Sequence, residues 1–225
     1  MEKKKMFLTG LAVLLICSSI RVDAQEANQK SKFTAGADLF SNYIFRGTKY
    51  GKGPSVQPSV KYINGGFTAG VWGSFDASGY AEADPFLSYT LPFGLSIGIT
   101  DYYYPELELF DVSTETGSQA FEINTGFTKG GLSLSANYII NEAGGAASMG
   151  GDMYFQAGYA FTSFSIFAGA GTGWHTTDGE FDLCNIGIST TKEIKLSDSF
   201  SIPVVGQVIV NPDREQLFLV VGFTF

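Results

Sequence analysis

A set of polar side chains recurs at alternate positions within otherwise apolar runs: Asp38, Asn42, Arg46, Gln57, Lys61, Glu82, Asp84, Glu122, Asn124, Asp152 and Gln207, with Asn137 in the same pattern. Both charge signs are present. Arginine and lysine facing aspartate and glutamate across a narrow bore would create a transverse field and set an ion preference. The same groups, paired with one another, would instead fill the bore. The residue types fit both outcomes. Arg46 and Gly47 fall at the end of the first apolar segment. They read either as a constriction charge or as a strand-end arginine bonding loop carbonyls, with the glycine enabling the turn.

His175 is the single histidine. Together with a serine and an Asn or Asp it would make a hydrolase triad, but its own loop, Gly173-Trp174-His175-Thr176-Thr177-Asp178, holds no serine. An exposed loop histidine is the expectation, and no enzymatic activity is expected. One histidine and two cysteines at unrelated spacing do not compose a metal site, and no cofactor is implied. The glycines of Gly144 to Gly151 are not followed by the Lys-Ser/Thr of a phosphate loop and read as a loop.

These side chains need strands to position them. The last ten residues, Gln216 to Phe225, set Leu217, Leu219, Val221, Phe223 and Phe225 on one face and Gln216, Phe218, Val220, Gly222 and Thr224 on the other. From Phe33 onward the chain breaks into about twelve such segments, near 33–46, 55–63, 66–76, 81–91, 94–104, 119–128, 131–140, 152–162, 164–173, 181–191, 199–210 and 216–225. Most have the roughly 10 residues that cross a bilayer at barrel tilt. The connections alternate. Asn64-Gly65-Gly66, Pro92-Phe93-Gly94, Lys129-Gly130-Gly131 and Thr162-Ser163 are tight, with Lys192 to Ser199 the longest of that set. The others, such as Pro105 to Ser118 and Asn141 to Gly151, are longer. Short turns on one side and long loops on the other are the habit of outer-membrane barrels. The expected fold is all-β: a transmembrane antiparallel up-and-down β-barrel of about 12 strands, with apolar residues outward and polar ones inward. Aromatic residues near strand ends, among them Tyr43, Phe45, Tyr89, Tyr102, Tyr103, Tyr104, Phe155, Tyr159, Phe161, Phe223 and Phe225, are expected in the headgroup belts.

The N-terminus reads as a targeting segment. Lys3, Lys4 and Lys5 precede a short apolar run from Phe7 to Cys17, and Val22-Asp23-Ala24 supplies small residues for cleavage after Ala24. The expected organisation is a signal peptide over 1–24, a periplasmic tail over 25–32 and a barrel over 33–225. Residues 1–24 hold four basic and two acidic side chains, so the remainder has a formal charge of −10 against −8 for the whole chain. That acidity excludes a nucleic-acid partner. Only Cys184 survives cleavage, so no internal disulfide forms. Charged residues make up 16 % of the chain, below the roughly 25 % of an ordinary soluble domain.

Ser41 to Tyr62, reading SNYIFRGTKYGKGPSVQPSVKY, and Ala69 to Phe75, reading AGVWGSF, resemble the N-terminal part of porins of the TorF type, bacterial outer-membrane proteins of poorly defined substrate. Ser41, Tyr43, Phe45-Arg46-Gly47, Ser55-Val56-Gln57 and Trp72-Gly73-Ser74 carry the likeness, over about the first third of the chain after Ala24. The resemblance implies an outer-membrane barrel that passes small solutes; it supplies no catalytic residues. The expected function is a porin-like channel for small polar solutes or ions. A filled barrel acting through its external loops is the alternative, and a hydrolase centred on His175 is a third reading. The expected partners are outer-membrane lipid and lipopolysaccharide, a small polar solute, and the barrel-assembly machinery, which would recognise the C-terminal strand ending at Phe225.

Overall fold

The computed structural model describes residues 32–198 and 200–225. The expected signal peptide and nearly all of the expected tail lie outside these residues. Twelve strands close into one antiparallel ring. They are β1 (Lys32–Phe40), β4 (Ser55–Asn64), β5 (Phe67–Asp76), β6 (Ala81–Thr90), β7 (Leu95–Tyr103), β8 (Gln119–Lys129), β9 (Leu132–Ile139), β12 (Met153–Ala160), β13 (Ser165–Gly171), β14 (Asp182–Lys195), β15 (Ser201–Asn211) and β16 (Gln216–Thr224). Each pairs with its neighbour in the chain, and β1 closes the ring against β16. Two small hairpins belong to loops: β2 (Tyr43–Phe45) with β3 (Thr48–Tyr50), and β10 (Glu142–Ala143) with β11 (Ser148–Met149).

The period-two pattern is used inside out. Leu217, Leu219, Val221 and Phe223 stand on the outer face of β16, with Leu219 68 % exposed, while Val220 points inward and is buried. Val60 and Val71, paired across β4 and β5, are likewise exposed. Glu122 is fully buried, and Gln57, Lys61, Glu82, Asp84 and Asn124 are buried with it. A soluble barrel would place the two sets the other way round.

The strand boundaries follow the sequence closely, with two exceptions. β14 runs to Lys195, four residues past its expected end, and shortens the turn that follows. The first expected strand, 33–46, is two elements. β1 stops at Phe40, and the chain turns inward to make the β2–β3 hairpin inside the ring. Tyr43 and Phe45 are therefore not belt aromatics; they are 2 % and 8 % exposed, inside the barrel. Tyr102, also expected at an outer strand end, is buried there too, and Tyr104 packs against the same cluster.

Two places in the wall have reduced pairing. The β1–β16 ladder covers only Asp38 to Phe40 against Thr224 to Gly222, extended by Phe225 N–H donating to Ala37 O at 3.0 Å and Ser41 N–H to Val221 O at 2.8 Å. The β6–β7 ladder ends at Phe86 opposite Thr100, although β6 stays paired to β5 as far as Ala81. Pro85, with no N–H, sits where that ladder stops. The Asp84 carboxylate accepts the Tyr103 N–H there, so a side chain takes the place of a missing rung.

Candidate functional site in the barrel bore

The site is built from the β2–β3 hairpin. Arg46 and Gly47 are its two turn residues, at φ 49° and 84°. Positive φ at both centres is the two-residue turn whose twist suits a hairpin. The tip presses against the far wall. A Cβ on Gly47 would lie 1.9 Å from the Cys184 carbonyl oxygen, and Asn211 Nδ2 donates to Gly47 O at 3.0 Å. Ile44 packs against the buried cluster of Phe167, Ile209 and Val220, which Phe40 and Phe218 also flank.

From this tip the Arg46 side chain crosses to β8, nearly opposite β1 in the ring. Its Nη1 and Nη2 donate to Glu122 Oε1 and Oε2 at 2.6 and 2.7 Å. The guanidinium lies 4.5 Å from the centre of the Tyr154 ring. Glu122 also accepts from Tyr102 Oη at 2.9 Å and from Asn124 Nδ2 at 2.5 Å. Asn124 is held by Thr100 and Asn137, and Tyr154 by Gln156 and Asn185. A buried ion pair tolerates its desolvation when further hydrogen bonds support the charge, and here the Glu122 carboxylate receives four donors, one on Oε1 and three on Oε2.

A second stopper descends from the loop between β13 and β14. A 3₁₀ turn over Gly173–His175 follows Thr172. Trp174 N–H points to Asp152 Oδ2 at 3.4 Å, and Trp174 Nε1 donates to Ala147 O at 2.6 Å. His175 is not the exposed loop histidine expected; it is 3 % exposed. Its ring sits 5.0 Å from that of Tyr154, and Nε2 lies 3.4 Å from Arg46 Nη1. Because arginine only donates, Nε2 must accept, which fixes a neutral imidazole with its proton on Nδ1. Burial, then the neighbouring Arg46 and Arg214 charges, push the His175 pKa well below its ordinary 6.5.

Beside this network lies an aromatic chamber. Tyr43, at the hairpin base, packs at a tilt against Trp72 and Tyr80, with ring centres 5.4 and 6.0 Å away, and Tyr50 sits 5.9 Å from Tyr80. Tyr80 Oη donates to Glu82 at 2.6 Å, and Tyr43 also bonds to Glu82. Glu82 and Asp84 stand two positions apart, both buried, on the inner face of β6. Towards the tight-turn end the inner wall changes character. Ser59, Ser88, Thr90, Ser96, Ser133 and Ser135 are small, polar and half-buried.

The candidate residues thus divide. Arg46, Glu122 and Asn124 meet in one network with Asn137, and Asp152 steadies the loop above it. Glu82 and Asp84 form the chamber. Asp38 and Lys61 face each other electrostatically lower in the bore. Gln57 donates to Ser55 Oγ at 3.1 Å and Gln207 to Ser189 Oγ at 3.4 Å, apart from both clusters. Asn42 stays at the rim beside Ser41. Arg46 ends no barrel strand and bonds no loop carbonyl; it is the tip of the stopper. Sequence reasoning missed Tyr43, Phe45, Trp72, Tyr80, Tyr102 and Asn185 as members of the site. One signal was available: Arg-Gly between Tyr-Ile-Phe and Thr-Lys-Tyr has the form of a hairpin turn.

A closed ring of twelve antiparallel strands, apolar outside and with its own hairpin folded inside, defines an up-and-down β-barrel whose bore is occupied by side chains of that hairpin. The chain belongs to a bacterial family described as "Bacterial protein of unknown function (Gcw_chp)", whose model matches residues 24–200. No curated protein matches the chain.

Proposed function

We propose that this protein is a porin-like channel of the bacterial outer membrane for small polar solutes, held in a closed state by its β2–β3 hairpin. The observation that carries this reading is the sorting of the wall. A continuous apolar exterior suits lipid, and the inner wall toward the tight-turn end is lined by small hydroxyl side chains around a charged pair, Asp38 and Lys61. Polar residues packed only to fill space would be expected to interlock along the whole bore; here the interlocking is concentrated where the hairpin and the Trp174 loop enter. The likeness of Ser41 to Tyr62 to porins of the TorF type supports the same reading. In this orientation the long loops face outward and the tight turns face the periplasm. Delivery would use an N-terminal signal peptide and recognition of the strand ending at Phe225 by the assembly machinery, with lipid and lipopolysaccharide around the wall.

The reading is non-enzymatic. A neutral histidine whose Nε2 is occupied by a guanidinium is a poor general base, because the charge beside it opposes the imidazolium that catalysis would form. Recording from purified protein in planar bilayers tests the channel. Small, rare conductance steps are expected from the native protein, and frequent, larger ones once the hairpin is released by Glu122→Gln. Silence in both would favour the filled barrel acting through its loops.

A further inference from the structure

The chamber at Glu82 and Asp84 holds more unmet polar capacity than the rest of the bore. Two buried carboxyl groups, Glu82 and Asp84, share the inner face of β6. No arginine, lysine or histidine lies within ion-pair distance of either among the described residues. Asp84 is 5 % exposed and its Oδ1 has no hydrogen-bond partner. Directly opposite Asp84 on the inner face of β5 stands Trp72, also buried, whose indole N–H has no acceptor. Directly opposite Glu82 stands Ser74, fully buried, whose hydroxyl is unpartnered. A buried polar group left unpaired is costly and uncommon, so three at adjoining positions point to something that pairs with them.

The unmet groups specify its chemistry. The carboxylate oxygens call for a cation that donates hydrogen bonds. Two carboxyl groups and one hydroxyl fall short of the shell of six or more oxygens that a strongly hydrated metal ion needs, and no metal-ligating group of three or more side chains occurs among the described residues, whereas an ammonium is served by three acceptors. The Trp72 N–H calls for an acceptor oxygen beside that cation. We propose that this chamber binds a small solute carrying a primary ammonium next to a hydroxyl, the amino-alcohol class, with the ammonium donating to Asp84 Oδ1 and the Trp72 N–H donating to the hydroxyl. The proposal deepens the channel reading, on which it rests for the solute's route. Two of the chamber's rings, Tyr43 and Tyr50, belong to the hairpin, so occupancy acts on the stopper directly.

Binding is measured apart from conductance, on the full chain in nanodiscs. Trp72 and Trp174 are the two tryptophans, so Trp174→Phe leaves Trp72 as the fluorescent reporter. Titration with ethanolamine is expected to give a saturable change, absent with ethylene glycol and with sodium chloride. Asp84→Asn is expected to weaken it roughly tenfold or more. Calorimetry on Trp72→Phe, which keeps a ring and loses the N–H, provides a second reading should Asp84→Asn not fold. Ethanolamine should weaken there, and ethylammonium, lacking the hydroxyl, should not. A null titration, an equal response to sodium, or unchanged affinity in Asp84→Asn or Trp72→Phe overturns the site and leaves only ordered water there. Binding without conductance would sink the channel reading and leave the site standing; conductance without binding would do the reverse.

Discussion

Arg46 on the inward hairpin and Glu122 on the opposite wall share two hydrogen bonds, at 2.6 and 2.7 Å, across the bore of the barrel. The pair ties a loop element to a wall strand 76 residues away in the chain. Removing one partner of a buried pair leaves the other charge uncompensated, at a cost of about 3–5 kcal/mol, whereas removing both costs far less. Arg46→Ala and Glu122→Gln should therefore each release the hairpin and raise conductance. Arg46→Met combined with Glu122→Leu should return it toward the native level. A double-mutant cycle on channel open probability checks this, and additive single effects would contradict the pairing.

Cys184 reports the same event chemically. Its thiol is fully buried, and the backbone of Gly47 rests on its carbonyl. In protein beginning at residue 25 it is the single thiol. Gly47→Ala places a methyl group where the Cys184 carbonyl already is, and at a φ that disfavours any side chain by about 1 kcal/mol or more. Maleimide labelling of Cys184 should accelerate severalfold in Gly47→Ala. Unchanged labelling would mean that the hairpin tip does not shield that wall.

Closure should weaken in acid through His175. Its folded pKa is depressed by burial and by Arg46, so the unfolded or released state takes up the proton more readily. The stabilising contribution is present above the ordinary value of 6.5 and is lost as pH falls below it toward the folded pKa. Conductance, or Cys184 labelling corrected for thiolate fraction, should rise as pH is lowered through about 6. His175→Asn, which cannot take up that proton, should flatten the profile over this range.

The long loop after β7 has its own acid dependence. Asp111 accepts from Ser113 N–H at 2.9 Å and from Thr116 Oγ1 at 2.8 Å, and these bonds hold its carboxyl below its ordinary 3.8. A depressed carboxylate stabilises above its unfolded pKa and loses that contribution as pH falls through the folded one. Asp111→Asn should make residues 105–118 more protease-sensitive at neutral pH, and the native loop should approach that sensitivity only below about pH 4.

The outer face offers a direct test of its solvent. Leu219 lies near the middle of β16 with its side chain outward. Leu219→Arg should lower folding stability in bilayers by about 2–4 kcal/mol, because a charge at the midplane is held in hydrocarbon. An equal cost in a detergent-free aqueous assay of a soluble form would contradict the lipid-facing assignment.

The sequence by itself determined the wall. Strand number, antiparallel order, loop alternation and which face is apolar all follow from a period of two repeated at barrel length, and such a pattern is local. Leu217, Leu219 and Phe223 fall outside, and Lys61 and Glu122 inside; alternation set them on opposite faces, and the targeting segment, the loop asymmetry and the aromatic C-terminus pointed to the apolar face as the outer one. Only the tertiary structure decided what fills the bore. Alternation says that Tyr43 and Phe45 share a face; it cannot say that the chain leaves the wall after Phe40 and carries both rings inward. His175, Glu122 and Arg46 lie far apart in sequence and meet because two loops turn into the same closed space, where burial converts a loop histidine and a rim arginine into partners. That meeting depends on ring closure between β1 and β16, a contact between the two ends of the barrel that no short stretch of sequence encodes.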